Sequence, residues 1–131
     1  MRQSKFHRDI PNNMKIISAL SIKGGTKLQQ EIAEKVVKWC CNHFQLDDAV
    51  IRLHLRAYED CWGYCVEGNT KHSYNIMIAH DQSVRDFVAT IVHELVHVMQ
   101  WETEEWVGDG ESECNRMQYM LTDELWKKGV L

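Results

Sequence analysis

The stretch FVATIVHELVHVMQW, residues 87–101, is strongly apolar and yet contains three ionisable side chains, His93, Glu94 and His97. Its apolar residues fall on nearly every face of a helix, which is typical of a helix buried on all sides. Ser83, followed three residues later by Asp86, is a helix-starting pattern. We therefore predict a helix from about Ser83 to Trp101, with the three ionisable groups inside the core.

The spacing of these groups is HExxH. Positions i and i+4 share one helix face, so His93 and His97 can both point at one ion, as zinc favours. Glu94 lies about 100° around the helix from His93, where it can reach a water on the metal and accept its proton. A metal would satisfy all three groups, whose burial without partners costs several kcal/mol. The alternative is a hydrogen-bonded pair of core histidines with Glu94 at an exposed position.

A hydrolytic zinc site has three protein ligands and one open position. No histidine follows His97, so the third ligand must be a carboxylate, a cysteine or an earlier histidine. The last predicted helix, from Gly110 to about Lys128, begins with two acids, Glu111 and Glu113. Acids are also favoured at a helix N-terminus by the helix dipole alone, and this reading stays open.

Residues 90–99 resemble the active-site helix of the zincin metallopeptidases. In the gluzincin type, the third ligand is a glutamate on a downstream helix, and an Asp or Asn four residues later supports the first histidine. The resemblance therefore implies Glu111 as the ligand and Asn115 as its support. Glu113 would face about 200° away from Glu111 around the helix. It remains the alternative ligand.

Two small families share parts of this pattern. Residues 93–100 resemble the HE-apolar-apolar-H-V-x-Q stretch of SprT-like and phage-encoded zinc peptidases, and residues 111–121 resemble the ExxAN helix of the ImmA/IrrE-type peptidases. Cys114 replaces the more usual alanine, and neither the ImmA/IrrE Leu-Leu-x-Pro ending nor a SprT zinc ribbon is present. The likeness spans about residues 73–128 and is strongest at 90–100 and 111–115.

The resemblance implies how a substrate would bind. In such folds an edge strand beside the metal takes up an extended peptide, and the strand that fits this place is Ser73–Ala79. A second electrophile should stabilise the oxyanion. The candidates for it are His72, His80, Tyr74 and Tyr119.

The remaining sequence predicts a small zincin-like α+β domain. Thr26 and Gln29 form a capping-box pattern that begins a helix ending near Phe44. Alternating apolar residues predict strands at 50–58, 61–66 and 73–79, most simply a three-stranded antiparallel meander. Residues 14–22 are ambiguous between strand and helix.

The chain has 131 residues, which predicts one domain over 1–131 with a loose leader at 1–13. The net charge is −4 and no Lys/Arg run exists, so we expect no nucleic-acid partner and no anionic membrane surface. No apolar segment reaches transmembrane length and no signal region is present. Five cysteines, an odd number, then predict reduced thiols in a cytoplasm.

The function expected from these patterns is a zinc-dependent peptidase with a protein or peptide substrate, metal ligands His93, His97 and Glu111, and Glu94 as general base. Two nitrogens, one oxygen and an open position favour Zn²⁺ over Mn²⁺ or Fe²⁺. The alternatives are a catalytically silent, zinc-stabilised protein-binding or regulatory module, and an interaction domain without metal.

Overall fold

The computed structural model describes residues 19–131 and has mixed α+β architecture. The predicted leader and residues 14–18 of the ambiguous segment lie outside this range. In chain order the elements are β1 (Ala19–Gly24), α1 (Lys27–His43), β2 (Val50–Arg56), β3 (Gly63–Glu67), β4 (Ser73–Ala79), α2 (Val84–Thr103) and α3 (Glu111–Lys127). No helix among these residues is long and apolar enough to cross a membrane.

The helix starts follow their predicted caps. The Thr26 hydroxyl accepts from the backbone N–H of Gln29 at 3.1 Å, and the Gln29 side chain accepts from the Thr26 N–H at 2.9 Å. Ser83 accepts from the N–H of Asp86 at 3.2 Å and so begins α2. Each of these bonds satisfies a backbone donor that the first helical turn leaves free.

The four strands form one sheet in the order β1-β2-β4-β3. β1 pairs with β2 and β2 with β4 in parallel, while β3 runs antiparallel to β4. The predicted antiparallel meander is therefore wrong, because β2 and β4 pair directly and β3 lies outside them. An alternation of buried and exposed residues does not distinguish a parallel from an antiparallel partner. Residues 57–72, which connect β2 to β4, are long enough for the chain to return to the starting end of β2, so that β4 runs parallel to it.

The same arrangement corrects the predicted edge strand. Ser73–Ala79 is an inner strand between β2 and β3. β3 is one of the two edge strands of the described sheet, and its second side pairs with no described strand. The near-complete burial of β4 agrees with its inner position, since an inner strand is covered more fully than an edge strand.

Both α1 and α2 pack on one face of the sheet. That face carries Ile51, Leu53 and Leu55 of β2, in register with Tyr74, Ile76 and Ile78 of β4. All six are buried in the core that α1 and α2 share, and α2 is covered on its other side by α3. The HExxH residues thus lie between the sheet and the last helix.

Candidate functional site

The two histidines and the first residue of α3 meet at one point. Nε2 of His93 lies 2.9 Å from one carboxylate oxygen of Glu111, and Nε2 of His97 lies 2.7 Å from the other. The two imidazole rings are 5.3 Å apart between centroids. Both rings are largely buried, whereas the Glu111 side chain is about half exposed. The three residues expected as metal ligands are therefore adjacent, with one side open to solvent.

The Nδ1 atoms of the two histidines each contact the side chain of a glutamine. The side-chain oxygen of Gln118 lies 2.6 Å from Nδ1 of His93, and that of Gln100 lies 3.0 Å from Nδ1 of His97. The amide nitrogen of Gln100 donates to the Gly110 carbonyl at 3.0 Å and to Glu113 at 2.9 Å. These two acceptors orient the Gln100 amide, so its oxygen faces His97 and the imidazole hydrogen belongs on Nδ1.

This orientation leaves the Nε2 atoms without hydrogens in the neutral imidazoles. Two Nε2 lone pairs would then face the two oxygens of the Glu111 carboxylate, at distances of 2.9 and 2.7 Å. Such an arrangement is repulsive unless positive charge lies among the acceptors, either as protons on both rings or as a cation. The donor set, two imidazole nitrogens and a carboxylate, fits a zinc ion.

Glu113 and Asn115 lie elsewhere. Glu113 accepts from Gln100 and lies 3.9 Å from Arg116, so it is directed away from the histidine pair. Asn115 is exposed and makes no hydrogen bond to a described side chain. The support expected from Asn115 comes from Gln118, which lies two turns beyond Glu111 and has a side chain one methylene longer.

Gln118 was missed because the family spacing pointed to the earlier turn of the helix. Its distance of seven residues from Glu111 was the available signal, since positions i and i+7 share a helix face. Gln100 had a signal too, because it follows His97 by three residues on the same helix face.

Glu94 is buried beside this point. Only 5 % of the residue is exposed, and its carboxylate makes no hydrogen bond to a described group. Burial raises the pKa of Glu94 to about 7, against a lowering by His93, and the Glu111 carboxylate adds to the rise. The side chain lies next to the histidines, in agreement with the predicted helical offset.

Cys114 is a further possible ligand. The sequence analysis left a cysteine open as the third ligand but did not name this residue. Its sulfur and one ring nitrogen from each of His93 and His97 all lie within 4.8 Å of one another. The residue is fully buried, and burial raises the pKa of the thiol to about 12, with the Glu111 and Glu94 carboxylates adding to the rise. A metal among these atoms would have to displace the thiol proton.

Two cavities flank the site, and Gly63, His93 and Glu94 line both of them. The larger, about 520 Å³, extends towards the start of α2 and is lined by Trp62, Asp86, Thr90 and Tyr119, among others. The smaller, about 400 Å³, extends towards Trp101 and Trp106. A cleft along β3 therefore passes Glu94 on both sides.

The structure separates the four candidates for a second electrophile. Tyr119 lines the larger cavity, and its hydroxyl donates to Asp86 at 2.8 Å. Tyr74 and His72 instead bind the buried carboxylate of Glu102, at 2.5 Å from the tyrosine oxygen and 2.8 Å from Nδ1. His80 lines neither cavity. Tyr119 is the candidate placed beside the cleft.

In comparisons with known proteins, no family model matches this chain, and neither a curated protein nor a solved structure matches it. The case for function therefore depends on the geometry of the site.

Proposed function

We propose that the chain is a zinc-dependent peptidase in which His93, His97 and Glu111 hold the ion and Glu94 is the general base. The observation that carries the proposal is the convergence of the Nε2 atoms of His93 and His97 on the two Glu111 oxygens, at 2.9 and 2.7 Å. A bound Zn²⁺ would place a positive charge among these atoms, lower the pKa of a water and polarise a substrate carbonyl.

The chain's own residues supply the rest of the reaction. The edge of β3 that pairs with no described strand offers backbone donors and acceptors to an extended peptide, and the two cavities receive side chains on either side of Glu94. Glu94 removes a proton from the attacking water and returns it to the leaving amine. The buried surroundings of Glu94 limit competition from bulk water.

The proposal places this activity in the cytoplasm. The partly exposed Cys61 and Cys65 form no disulfide within the described residues. Free thiols are the usual state in a reducing compartment.

A second candidate is a catalytically silent module in which zinc only stabilises a protein-binding fold. The position of Cys114 favours it, because its sulfur groups with a ring nitrogen from each of His93 and His97. Together with the Glu111 carboxylate, which contacts both rings, the cluster would offer four ligands. Four-ligand sites are typical of structural zinc, whereas a catalytic site keeps one position open. Burial of Glu94, which a structural site would not require, favours the peptidase.

The deciding experiment measures metal content and hydrolysis together. The purified protein should contain about one zinc ion per chain by elemental mass spectrometry. Glu94→Gln should retain the ion and lose hydrolysis of a panel of unfolded proteins, while Glu105→Gln, an exposed charge-matched control, should keep both.

Cys114→Ala separates the two candidates further. The peptidase should keep zinc and activity in this variant, since the thiol is not required. Loss of zinc on Cys114→Ala, together with no hydrolysis by the unaltered chain, would establish the silent module. A chain without metal would refute both.

A further inference from the structure

The face of the sheet opposite α1 and α2 is covered by no described helix. On β2 the residues that alternate with the buried Ile51, Leu53 and Leu55 point to this side, and they are Arg52, His54 and Arg56. Both arginines are exposed. We call this surface the open face.

The register places the open-face residues of neighbouring strands side by side. Lys23 of β1 pairs with His54, His54 with Met77 of β4, and Met77 with Tyr64 of β3. One step along the strands, Arg52 lies between Ser21 and Asn75, and Val66 follows on β3. Four strands at about 4.8 Å spacing make a platform about 15 Å across.

The charge of the open face is opposite to that of the chain. Lys23, Arg52 and Arg56 form no ion pair with any described residue, and the strand positions on this face carry no carboxylate. The chain as a whole has a net charge of −4. Three cations without an ion-pair partner in the described part of an acidic chain give a surface that is complementary to an anion.

Aromatic rings lie on the same side. The rings of Tyr64 and Tyr58 are 5.9 Å apart in edge-to-face contact, and Tyr58 follows Arg56 by two residues. Tyr64 is 42 % exposed. A flat sheet that combines exposed aromatic rings with cations is the arrangement on which unpaired bases stack while phosphates are neutralised.

We propose that the open face binds a single-stranded nucleic acid, with Lys23, Arg52 and Arg56 on phosphates and a base stacked on Tyr64. The cations of the open face do not form a continuous Lys/Arg run in the sequence. Successive residues of a strand point to opposite faces, so a buried residue separates each pair of neighbouring open-face residues on β2. The inference does not depend on the proposed zinc ligands, which lie on α2 and α3 on the opposite side of the sheet. Tyr64 also lines the smaller cavity of that site.

The test is fluorescence anisotropy of a labelled 15-residue oligothymidylate and of the matching oligouridylate, titrated with the full chain at 20 to 200 mM KCl. Three phosphate contacts predict a slope of log K against log salt of about −2, at about 0.7 per contact. Arg52→Ser with Arg56→Ser should weaken binding at least tenfold at 50 mM KCl and reduce the slope to about −0.7. Tyr64→Ala should weaken binding several-fold at every salt concentration with the slope unchanged.

The control removes the same charge elsewhere. Lys35→Ser with Lys127→Ser alters exposed lysines of α1 and α3 and should leave binding unchanged. Circular dichroism melts establish that each variant is folded.

Three results would overturn the proposal. The first is no binding of either oligonucleotide at 20 mM KCl. The second is equal weakening by the arginine and lysine pairs, which would mean attraction without a site. The third is arginine-dependent binding to vesicles of phosphatidylserine and phosphatidylcholine with no binding of oligonucleotides, which would assign the face to a lipid surface.

Discussion

The side-chain oxygen of Gln100 lies 3.0 Å from Nδ1 of His97, while the amide nitrogen of the same side chain donates to the carbonyl of Gly110. Glu111 follows Gly110 directly, so one buried glutamine connects a histidine of the site to the residue that precedes its carboxylate. The orientation of the imidazole and the start of α3 are therefore set by the same side chain.

Gln100→Leu should weaken zinc binding by about 10- to 100-fold, because the imidazole loses the acceptor that orients it. Titration against a chelating zinc indicator measures this change. Gln30→Leu is the matched control, since the Gln30 amide donates to Gly24 on the far side of the fold. Equal zinc affinity in the two variants would contradict the role given to Gln100.

Gly110→Ala should destabilise the protein more than Gly108→Ala. Both glycines have positive φ, +83° and +62°, so an added Cβ imposes backbone strain of about 1–2 kcal/mol at either position. At Gly110 that Cβ would also lie 2.3 Å from the side-chain oxygen of Gln100, whereas at Gly108 nothing lies within 4 Å. Urea melts give the difference in unfolding free energy, and zinc affinity should fall in Gly110→Ala alone.

Gly63→Ala should be destabilising because β3 lies against α2 just before the HExxH residues. The new Cβ would lie 2.6 Å from Cγ2 of Thr90, an overlap that costs about 1–3 kcal/mol. Thr90→Ser removes that methyl group and keeps the hydroxyl, which donates to the Asp86 carbonyl at 2.7 Å. The double variant should recover much of the lost stability in a double-mutant cycle; additive effects would place the cost elsewhere.

Tyr74→Phe should destabilise the fold by about 1–3 kcal/mol, because it removes a hydrogen bond to the buried carboxylate of Glu102. Burial, and then this hydrogen bond, raise the pKa of Tyr74. Tyr64→Phe, at an exposed hydroxyl, is the control.

The pH dependence of that variant follows from the direction of the shift. The folded state keeps the phenolic proton, whereas an unfolded tyrosine releases it near pH 10. The stability that Tyr74 contributes is thus fully present below about pH 10 and declines as the pH rises further. Urea melts at pH 7, 9 and 10.5 should show a constant difference between the unaltered chain and Tyr74→Phe at the first two values and a smaller one at the third.

Local signals in the sequence were sufficient for the helices. Each of these signals depends on residues within a few positions of one another. They are the helix caps at Thr26 and Ser83, the apolar residues on all sides of α2, and the spacing of His93, Glu94 and His97. Strand pairing depends on residues far apart, and the alternation of Ile51, Leu53 and Leu55 is the same whether the neighbour runs parallel or antiparallel. The sequence therefore located β2, β3 and β4 but did not order them.

The site shows the same division. His93, His97 and Glu94 follow from helical geometry alone, and Glu111 followed from its spacing in the resembling family. Gln118 and Cys114 depend on how α3 turns and packs against α2, which no short-range pattern determines. The burial of Cys114 beside both histidines was visible only once the two helices were packed together.

His93 and His97 lie on α2, Glu111 and Gln118 lie on α3, and a segment of seven residues joins the two helices. All four side chains belong to one helical hairpin, so no distant chain segment has to arrive before they can meet. Contacts between neighbouring segments have a smaller loop-closure cost than contacts between distant ones. The weak point of this hairpin is the end of its turn, because Gly110 directly precedes Glu111 and its carbonyl accepts from Gln100.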